Sequence, residues 1–180
     1  CGLETVREAA EDLFRRKRVL DLSVTAGRAG AKVQNGQDRP LRVLIGFPLL
    51  SDEVWARVYP KLAERALYLA SLLAARLPEG IEEAFAAADA HLFPHSHTDL
   101  RLYCDCGAEG LCMHVGALAL RLAEMIETDP FLIFTLRGRG RDETLMHIGR
   151  HRAALRDQAQ GDLDKAAAFP TNKSQISARV

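Results

Sequence analysis

The sequence lacks an excess of charge of either sign. Its 180 residues contain 24 Lys and Arg against 24 Asp and Glu, which gives a formal net charge of zero at pH 7. A neutral chain has no overall electric field that attracts phosphates. We therefore exclude a protein that binds polyanions over its whole surface, and any contact with nucleic acid must come from local patches of basic residues.

Long apolar runs are also missing. No stretch approaches the roughly 20 residues that a membrane-spanning helix needs, and no signal peptide opens the chain, so we predict no membrane partner. The sequence starts at Cys1 rather than Met, and we expect a few residues to precede it. With 48% hydrophobic and 27% charged residues, the composition is typical of a folded globular protein and excludes a disordered one.

Templates for catalysis are absent as well. The sequence contains no G-x-x-x-x-G-K-[ST] phosphate loop, no G-x-S-x-G nucleophile turn and no H-E-x-x-H metal motif. Glu82 and Glu83 are adjacent, but adjacent helical residues point apart and do not form a shared acid–base site. We predict that the chain is not an enzyme and has no small-molecule substrate.

Cysteine is scarce, and three of the four cysteines are clustered. Cys104, Cys106 and Cys112 follow one another closely, and His114 comes two residues later. An intracellular cluster of Cys and His binds metal more often than it forms disulfides, and three clustered thiols leave one unpaired in any scheme. We therefore expect a reducing, cytoplasmic location.

These residues form the pattern C-x-C-x5-C-x-H. Three thiolates and one imidazole are the ligands of closed, tetrahedral, structural zinc sites, and thiolates offset the charge of the dication. On an extended strand, C-x-C places two sulfurs on one side, and glycines in the link Gly107–Leu111 allow a tight turn. We predict one structural Zn²⁺ bound by Cys104, Cys106, Cys112 and His114. The alternative is a chance cluster of reduced cysteines with a capping histidine.

Hydrophobic periodicity predicts an α+β fold. Residues 18–47 alternate in three short runs separated by glycine turns, which predicts a small three-stranded antiparallel sheet. Apolar residues at helical spacing over 51–89 predict helices that cover this sheet. We expect residues 1–90 to form this N-terminal part and residues 91–138 to form the zinc finger with its following helices. Residues 139–180 are predicted to form a last helix and a loose tail, so that zinc staples a helical C-terminal half.

Three local expectations follow from the same patterns. Leu20 is predicted to lie on the buried face of the first strand with its alternate neighbours. Pro60 is predicted to break or kink its helix, because proline lacks the backbone N–H. The last helix is predicted from about Asp142 to about Gln160, and no trustworthy period remains after Ala166.

The segment Cys104–His114 resembles the SWIM zinc finger, whose signature is C-x-C, a variable gap and then C-x-H. The flanking segments Asp129–Gly138 and Pro48–Trp55 look like those of bacterial SWIM proteins found alongside helicase-like chromatin-remodelling-type ATPases. The resemblance covers most of residues 18–145. It implies an adaptor that acts with a helicase-like DNA translocase or a DNA-repair assembly. If the protein is linked to DNA in this way, it is expected to be associated with the nucleoid. Two differences stand out: the gap is a short five residues, and Met113 replaces the usual basic residue, which removes one charge that could contact phosphate.

Arginines after the finger suggest an alternative function. The candidates for phosphate contact are Arg137, Arg139, Arg141, Arg150 and Arg152. Arginine contacts phosphate through a bidentate fork, and the glycines of the Arg137–Arg141 turn let a backbone approach closely. The alternative is therefore weak, direct nucleic-acid binding. In a competing interpretation, Arg137 complements a helix C-terminus and the other arginines solvate the surface.

A third hypothesis is a redox sensor that uses the thiols of the cluster. It requires a labile metal and reactive thiolates. Histidines outside the cluster have simpler interpretations. His91, His95 and His97 are expected in a solvated loop rather than in a second metal site, and His147 and His151 on an exposed helix face.

Overall fold

A computed structural model describes residues 3–36 and 39–167. In chain order the elements are α1 (Leu3–Arg15), β1 (Val19–Thr25), β2 (Arg28–Val33), β3 (Leu41–Gly46), α2 (Asp52–Glu64), α3 (Ala66–Leu73), α4 (Ile81–Ala86), β4 (Arg101–Cys104), α5 (Met113–Thr128), α6 (Phe131–Leu136) and α7 (Arg141–Ala167). The predicted α+β class is confirmed. Within these ranges, no helix combines the length and the apolar character needed to cross a membrane.

The four strands form one antiparallel sheet in the order β1-β2-β3-β4. The prediction of three strands is wrong because β4 adds to the edge of β3. In this pairing Val43 lies opposite Cys104, and Gly46 lies opposite Arg101. β4 is only four residues long and joins a strand from a distant part of the chain, and local periodicity carries no information about such a pairing.

A bulge decides which side chains of β1 point inward. Leu20 pairs with Lys32 and Ser23 pairs with Gly30, so two residues of β1 lie opposite one residue of β2. Asp21, inside the bulge, has a φ of 51°. The extra residue reverses the alternation, and Leu20 is 41% exposed. The expectation that Leu20 is buried is therefore wrong.

Pro60 lies inside α2 and does not end it. The missing N–H leaves the carbonyl of Ala56 without its helical partner. Ala56 is an exposed residue, so water can pair with that carbonyl. The opposite side of α2 is held by burial of Trp55, Val58 and Leu62, and this packing outweighs the lost hydrogen bond.

The last helix is longer than its apolar pattern predicts. α7 begins at Arg141 and continues to Ala167, past the expected end near Gln160. Its last turns are exposed and are supported by side-chain pairs such as Gln160 Nε2 to Asp164 Oδ1 at 2.9 Å rather than by an apolar stripe. Residues 168–180, which make up most of the predicted loose tail, lie outside the described residues.

Two groups of buried side chains form the core. The first includes residues of α2, α4, α6 and α7 and contains Trp55, Phe85 and Phe134, whose ring centroids lie between 5.7 and 6.2 Å apart. The second lies between α5 and one face of the sheet, here called the inner face. It includes Val33, Val43, Ile45, Val115 and Leu118.

The helices α1 and α5 approach each other closely at Gly116. A Cβ atom on Gly116 would lie 2.7 Å from the Cβ of Ala10, which is inside van der Waals contact. Gly149 in α7 provides a contrast, because nothing lies within 4 Å of a Cβ built there. The two glycines are therefore helical positions with opposite steric surroundings.

We expect the same substitution to have opposite effects at these two glycines. Gly116→Ala should lower the free energy of unfolding by about 1–3 kcal/mol through overpacking. The higher helix propensity of alanine offsets part of this loss. Gly149→Ala should raise it by about 0.5–1 kcal/mol through that propensity alone. Denaturant unfolding of the metal-loaded variants measures both. Equal stabilisation by the two substitutions would show that α1 does not pack closely on α5.

Candidate metal centre

The four predicted ligands come from the end of one strand and the start of one helix. Cys104 is the last residue of β4, Cys112 is the N-cap residue of α5, and His114 lies in the first turn of α5. Cys106 is in the turn after β4, so C-x-C does not lie on a continuous strand as predicted. A metal bound here would join the edge of the sheet to the helix that covers it.

The turn that carries Cys106 is shaped by its backbone. The N–H of Gly107 donates to the carbonyl of Cys104 at 3.2 Å, and the N–H of Cys106 lies 3.5 Å from the Cys104 sulfur. Gly107 and Gly110 have φ values of 75° and 77°. Residues other than glycine rarely adopt these values, so the expected role of the glycines in reversing the chain is confirmed.

Asp105, between the two cysteines, fixes this turn to the neighbouring strand. Its N–H donates to the carbonyl of Arg42 at 3.0 Å, and its carboxylate accepts from the Arg42 backbone N–H and from Arg42 Nε, each at 3.1 Å. Tyr103 Oη donates to the same carboxylate at 2.8 Å. Hydrogen bonds from Arg42 and then from Tyr103 lower the pKa of Asp105. Sequence reasoning missed this clamp because it depends on the pairing of β3 with β4.

The donor atoms are close enough to share one ion. All four ligand atoms lie within 4.8 Å of one another. His114 Nδ1 lies 3.6 Å from the Cys104 sulfur and 3.9 Å from the Cys112 sulfur. In a tetrahedral zinc site, bonds of about 2.3 Å to sulfur and about 2.0 Å to nitrogen put neighbouring donors about 3.5–3.8 Å apart. The four side chains can therefore bind one metal ion.

Three of the four donors are withdrawn from water. Cys104, Cys112 and His114 are 6%, 8% and 4% exposed, whereas Cys106 is exposed. His114 Nδ1 faces the sulfurs, and its Nε2 is buried with no hydrogen-bond partner among the described residues. A buried polar atom without a partner costs about 1–3 kcal/mol. Coordination through Nδ1 would leave this cost at Nε2 in place, but it would stabilise the ring through the nitrogen that faces the sulfurs.

The protonation states fit a site that is completed by a cation. Burial raises the pKa of the Cys104 thiol to about 12 and lowers the pKa of His114, so that both side chains favour their neutral forms. Burial acts on Cys106 as well, but hydrogen bonds from the Ala108 backbone and from the neighbouring thiols outweigh it and lower the pKa of Cys106. Neutral imidazole is the form that binds metal, and a dication is what displaces the proton from a buried thiol.

The remaining histidines do not form a second centre in the described part of the chain. The cluster at Cys104–His114 is the one group of three or more metal donors found there. The rings of His91 and His95 have centroids 4.0 Å apart, but no third donor joins them. His147 stacks on Tyr59 with ring centroids 4.4 Å apart, so it packs against α2 and does not simply face solvent.

Four of the five arginines that were candidates for phosphate contact have partners inside the molecule. Arg137 is 7% exposed; its guanidinium donates to the carbonyls of Pro48 and His91. Arg139 forms ion pairs with Asp52 and Glu143. The other candidates are spread along α7: Arg141 lies over the Phe131 ring, Arg150 is exposed, and Arg152 donates to the carbonyl of Ala63.

Loss of one thiol should release the metal. We expect purified protein to contain one zinc per chain and Cys112→Ser to contain none, with loss of folded structure around β4 and α5. Structural zinc contributes on the order of 10 kcal/mol of apparent binding free energy, which exceeds the stability of many domains. Elemental analysis and circular dichroism measure both effects. Cys1→Ser, at the cysteine outside the motif, is the matched control and should retain zinc; a metal-free wild type that is fully folded would contradict the expectation.

Metal affinity should depend on pH. With its pKa raised to about 12, the Cys104 thiol carries a proton at neutral pH without metal, and metal binding must displace it. The apparent affinity should therefore fall as pH falls, by about tenfold per pH unit for each proton displaced. Competition with a chelator between about pH 8 and about pH 6 measures this slope. A flat profile would show that the sulfurs bind metal without losing protons.

The chain is 38% identical over 153 residues to the uncharacterized protein Rv2102 of Mycobacterium tuberculosis, an alignment that covers 84% of this chain and 55% of that protein. The chain thus spans about half the length of its relative. No model of a known protein family matches the sequence, and no solved structure matches it.

Proposed function

We propose that the chain is a zinc-binding, SWIM-like module that serves as an adaptor for a helicase-like DNA translocase or a DNA-repair assembly. The observation that carries this proposal is the set of four Cys and His donors within 4.8 Å of one another. All four positions of a tetrahedral ion are then taken by protein side chains. The ion is structural, because no position remains for water or substrate.

Zinc is the ion that these donors favour. Three thiolates with one imidazole form a soft set, and Zn²⁺ accepts tetrahedral geometry without a ligand-field penalty. Bound zinc supplies a cross-link between β4 and α5 and does no chemistry of its own. Cys104, Cys106, Cys112 and His114 hold it.

The adaptor role is supported by the segments that carry the family resemblance. Pro48–Trp55 and Asp129–Gly138 are far apart in sequence but hydrogen-bond to each other. Trp55 Nε1 donates to the carbonyl of Arg137 at 3.3 Å, the N–H of Leu50 donates to the same carbonyl at 3.1 Å, and the Arg137 side chain donates to Pro48. Two segments that resemble one family thus form one packed unit, which favours resemblance of the whole fold over resemblance of the metal motif alone.

A binding role without catalysis fits this arrangement. Zinc would withhold the thiolates of the cluster cysteines, which are the nucleophiles of this site. We therefore propose no enzymatic activity, and a cytoplasmic location in which the thiols stay reduced. Because the chain spans about half of its relative, the partner is proposed for the module and not for a longer protein.

The redox sensor is the second candidate, and one observation favours it. Cys106 is exposed, and the pKa of its thiol is lowered, so an oxidant can reach a sulfur that readily ionises. Zinc released by mild oxidation would then change the fold around β4. Weak DNA binding through Arg141 and Arg150 is less well supported, because Arg137 and Arg139 have internal partners.

Affinity purification from native cells separates these functions. Wild-type bait should capture an ATPase of the DNA-translocase class, identified by mass spectrometry, and Cys106→Ala should capture less because three ligands hold zinc weakly. Cys106→His is the matched control, since it restores four ligands of a type that zinc accepts while removing the exposed thiol. If the chain is an adaptor, Cys106→His should capture the same partner as wild type, and peroxide should not change the amount captured.

Two results would contradict the adaptor proposal. Capture of the same proteins by wild type and by zinc-free Cys112→Ser would show that the metal-stapled fold does not recognise them. Zinc release at low peroxide, with a partner gained by oxidised wild type and not by Cys106→His, would favour the sensor.

A further inference from the structure

One face of the sheet is left open by the described helices. α5 packs on the inner face, and the strand residues of the opposite face, here called the outer face, are largely exposed. A shallow groove of about 620 Å³ runs along one end of the outer face; its lining includes Arg28, Leu44, Gly46, Arg101 and Tyr103.

The strand register sorts the outer face into rows that cross the sheet. In the first row Thr25 pairs with Arg28, Arg28 with Gly46, and Gly46 with Arg101. In the next row Ser23 pairs with Gly30, Gly30 with Leu44, and Leu44 with Tyr103. In the third, Lys32 pairs with Arg42. An apolar and aromatic row is thus flanked by a basic row on each side.

Two glycines in the middle of this surface, Gly30 and Gly46, have no side chain that projects from the sheet. A Cβ on Gly46 would lie 3.1 Å from the Cβ of Arg101, and a Cβ on Gly30 would lie 2.8 Å from the Leu44 side chain. Tyr103 is 49% exposed and stands beside half-buried Leu44 on this floor. The phenol is fixed at its far end by the hydrogen bond from Oη to Asp105 at 2.8 Å. The surface therefore presents a positioned aromatic ring over a flat base.

The charge of the outer face is positive. Arg28 and Arg101 are exposed and form no ion pair within the described residues. Lys32 pairs with Asp21 at 2.9 Å, and Arg42 pairs with Asp105 at 3.1 Å. Asp99 also borders the groove, but its carboxylate accepts the backbone N–H groups of His95 and Ser96, each at 3.0 Å. Two uncompensated guanidinium groups therefore flank Gly46.

We propose that the outer face of the sheet, through Arg28, Arg101 and Tyr103, binds single-stranded nucleic acid. An aromatic ring on an open sheet stacks with any unpaired base, and flanking cations contact the backbone phosphates. A duplex fits this surface less well because its base faces are covered by neighbouring base pairs. An acidic protein also fits less well, because its carboxylates can pair with the arginines but it offers no planar base to stack on Tyr103. The inference goes beyond the adaptor role, because none of these three side chains belongs to the metal cluster and no partner protein is required.

The test uses the full, zinc-loaded chain and fluorescence anisotropy. The probes are a labelled single-stranded oligothymidylate and oligouridylate of ~20 nucleotides and a duplex of the same length. Both single strands should bind more tightly than the duplex at about 50 mM salt, and the slope of log K against log salt should be about −1.5 to −3 for two to four phosphate contacts. A preference for one single strand over the other then identifies RNA or DNA as the source.

Substitutions separate stacking from charge. Tyr103→Ala should weaken binding by about 5- to 100-fold through loss of base stacking, whereas Tyr103→Phe keeps the ring and should bind within about twofold of wild type. Arg28→Glu combined with Arg101→Glu should weaken binding at least about tenfold and flatten the salt dependence. Zinc content and circular dichroism confirm that each variant is folded; if the double reversal loses zinc, Arg28→Gln with Arg101→Gln replaces it.

One pair of charge reversals serves as a control, and a second pair tests the competing hypothesis of phosphate contact on α7. Arg7→Glu with Arg15→Glu changes the net charge by the same amount on α1, which packs against α5 away from the outer face, and should leave binding unchanged. Arg141→Glu with Arg150→Glu tests the α7 arginines in the same way. The proposal would be overturned if either of these pairs weakened binding as much as the reversal of Arg28 and Arg101, or if Tyr103→Ala bound single strands like wild type. It would also be overturned if the protein bound the duplex or poly-glutamate as tightly as the single strands. Its failure leaves partner capture by the zinc-loaded module unaffected, so the two functions are tested independently.

Discussion

The link between the end of β4 and the start of α5 is the constraint on which the rest of the structure depends. Cys104 ends the strand, and Cys112 and His114 begin the helix, and their donor atoms meet on the inner side of the sheet. α5 is also the helix that covers the inner face and receives α1 at Gly116. Cys104 and Cys112 belong to the same buried group as Val43 and Val115, so the metal ligands are continuous with the hydrophobic core. An ion bound by these donors would set where the central helix starts and how it lies on the sheet.

A second connection holds the helical layer together, and it uses a charged side chain in an unexpected way. The guanidinium of Arg137 is buried and donates to backbone carbonyls of two separate loops, at Pro48 and His91. Nη1 and Nη2 each donate to a carbonyl, while Nε is buried without a partner among the described residues. Carbonyl partners hold the guanidinium without requiring a second buried charge. The carbonyl of Arg137 in turn accepts from Trp55 Nε1. An arginine next to glycine in a turn therefore has the pattern of a phosphate ligand, but here its side chain hydrogen-bonds two separate segments of the chain to each other.

The sequence predicts well what depends on near neighbours. Local features are the grouping of four Cys and His side chains that could bind one metal ion, the glycines at 107 and 110, and the helix that starts near His114. Each is set by the residue types of a short segment. The position of β4 is not local, since Arg101–Cys104 is a strand only when β3 lies beside it. The same is true of Leu20, whose exposure depends on one extra residue opposite β2, and of Pro60, where burial of Trp55 and Leu62 maintains the helix. Burial of Arg137 likewise requires three segments that no spacing relates.

Alternation along β4 couples the two surfaces for which functions are proposed. Cys104 points inward to the metal donors, and Tyr103, its neighbour, points to the outer face, because successive residues of a strand face opposite sides. Asp105 then ties the end of this strand to Arg42 and to the Tyr103 hydroxyl at once. A four-residue edge strand makes few ladder hydrogen bonds and has little stability of its own. A metal ion bound through Cys104 would help to hold Tyr103 in register beside Leu44. An intact metal centre would therefore favour an ordered outer face from the other side of the sheet.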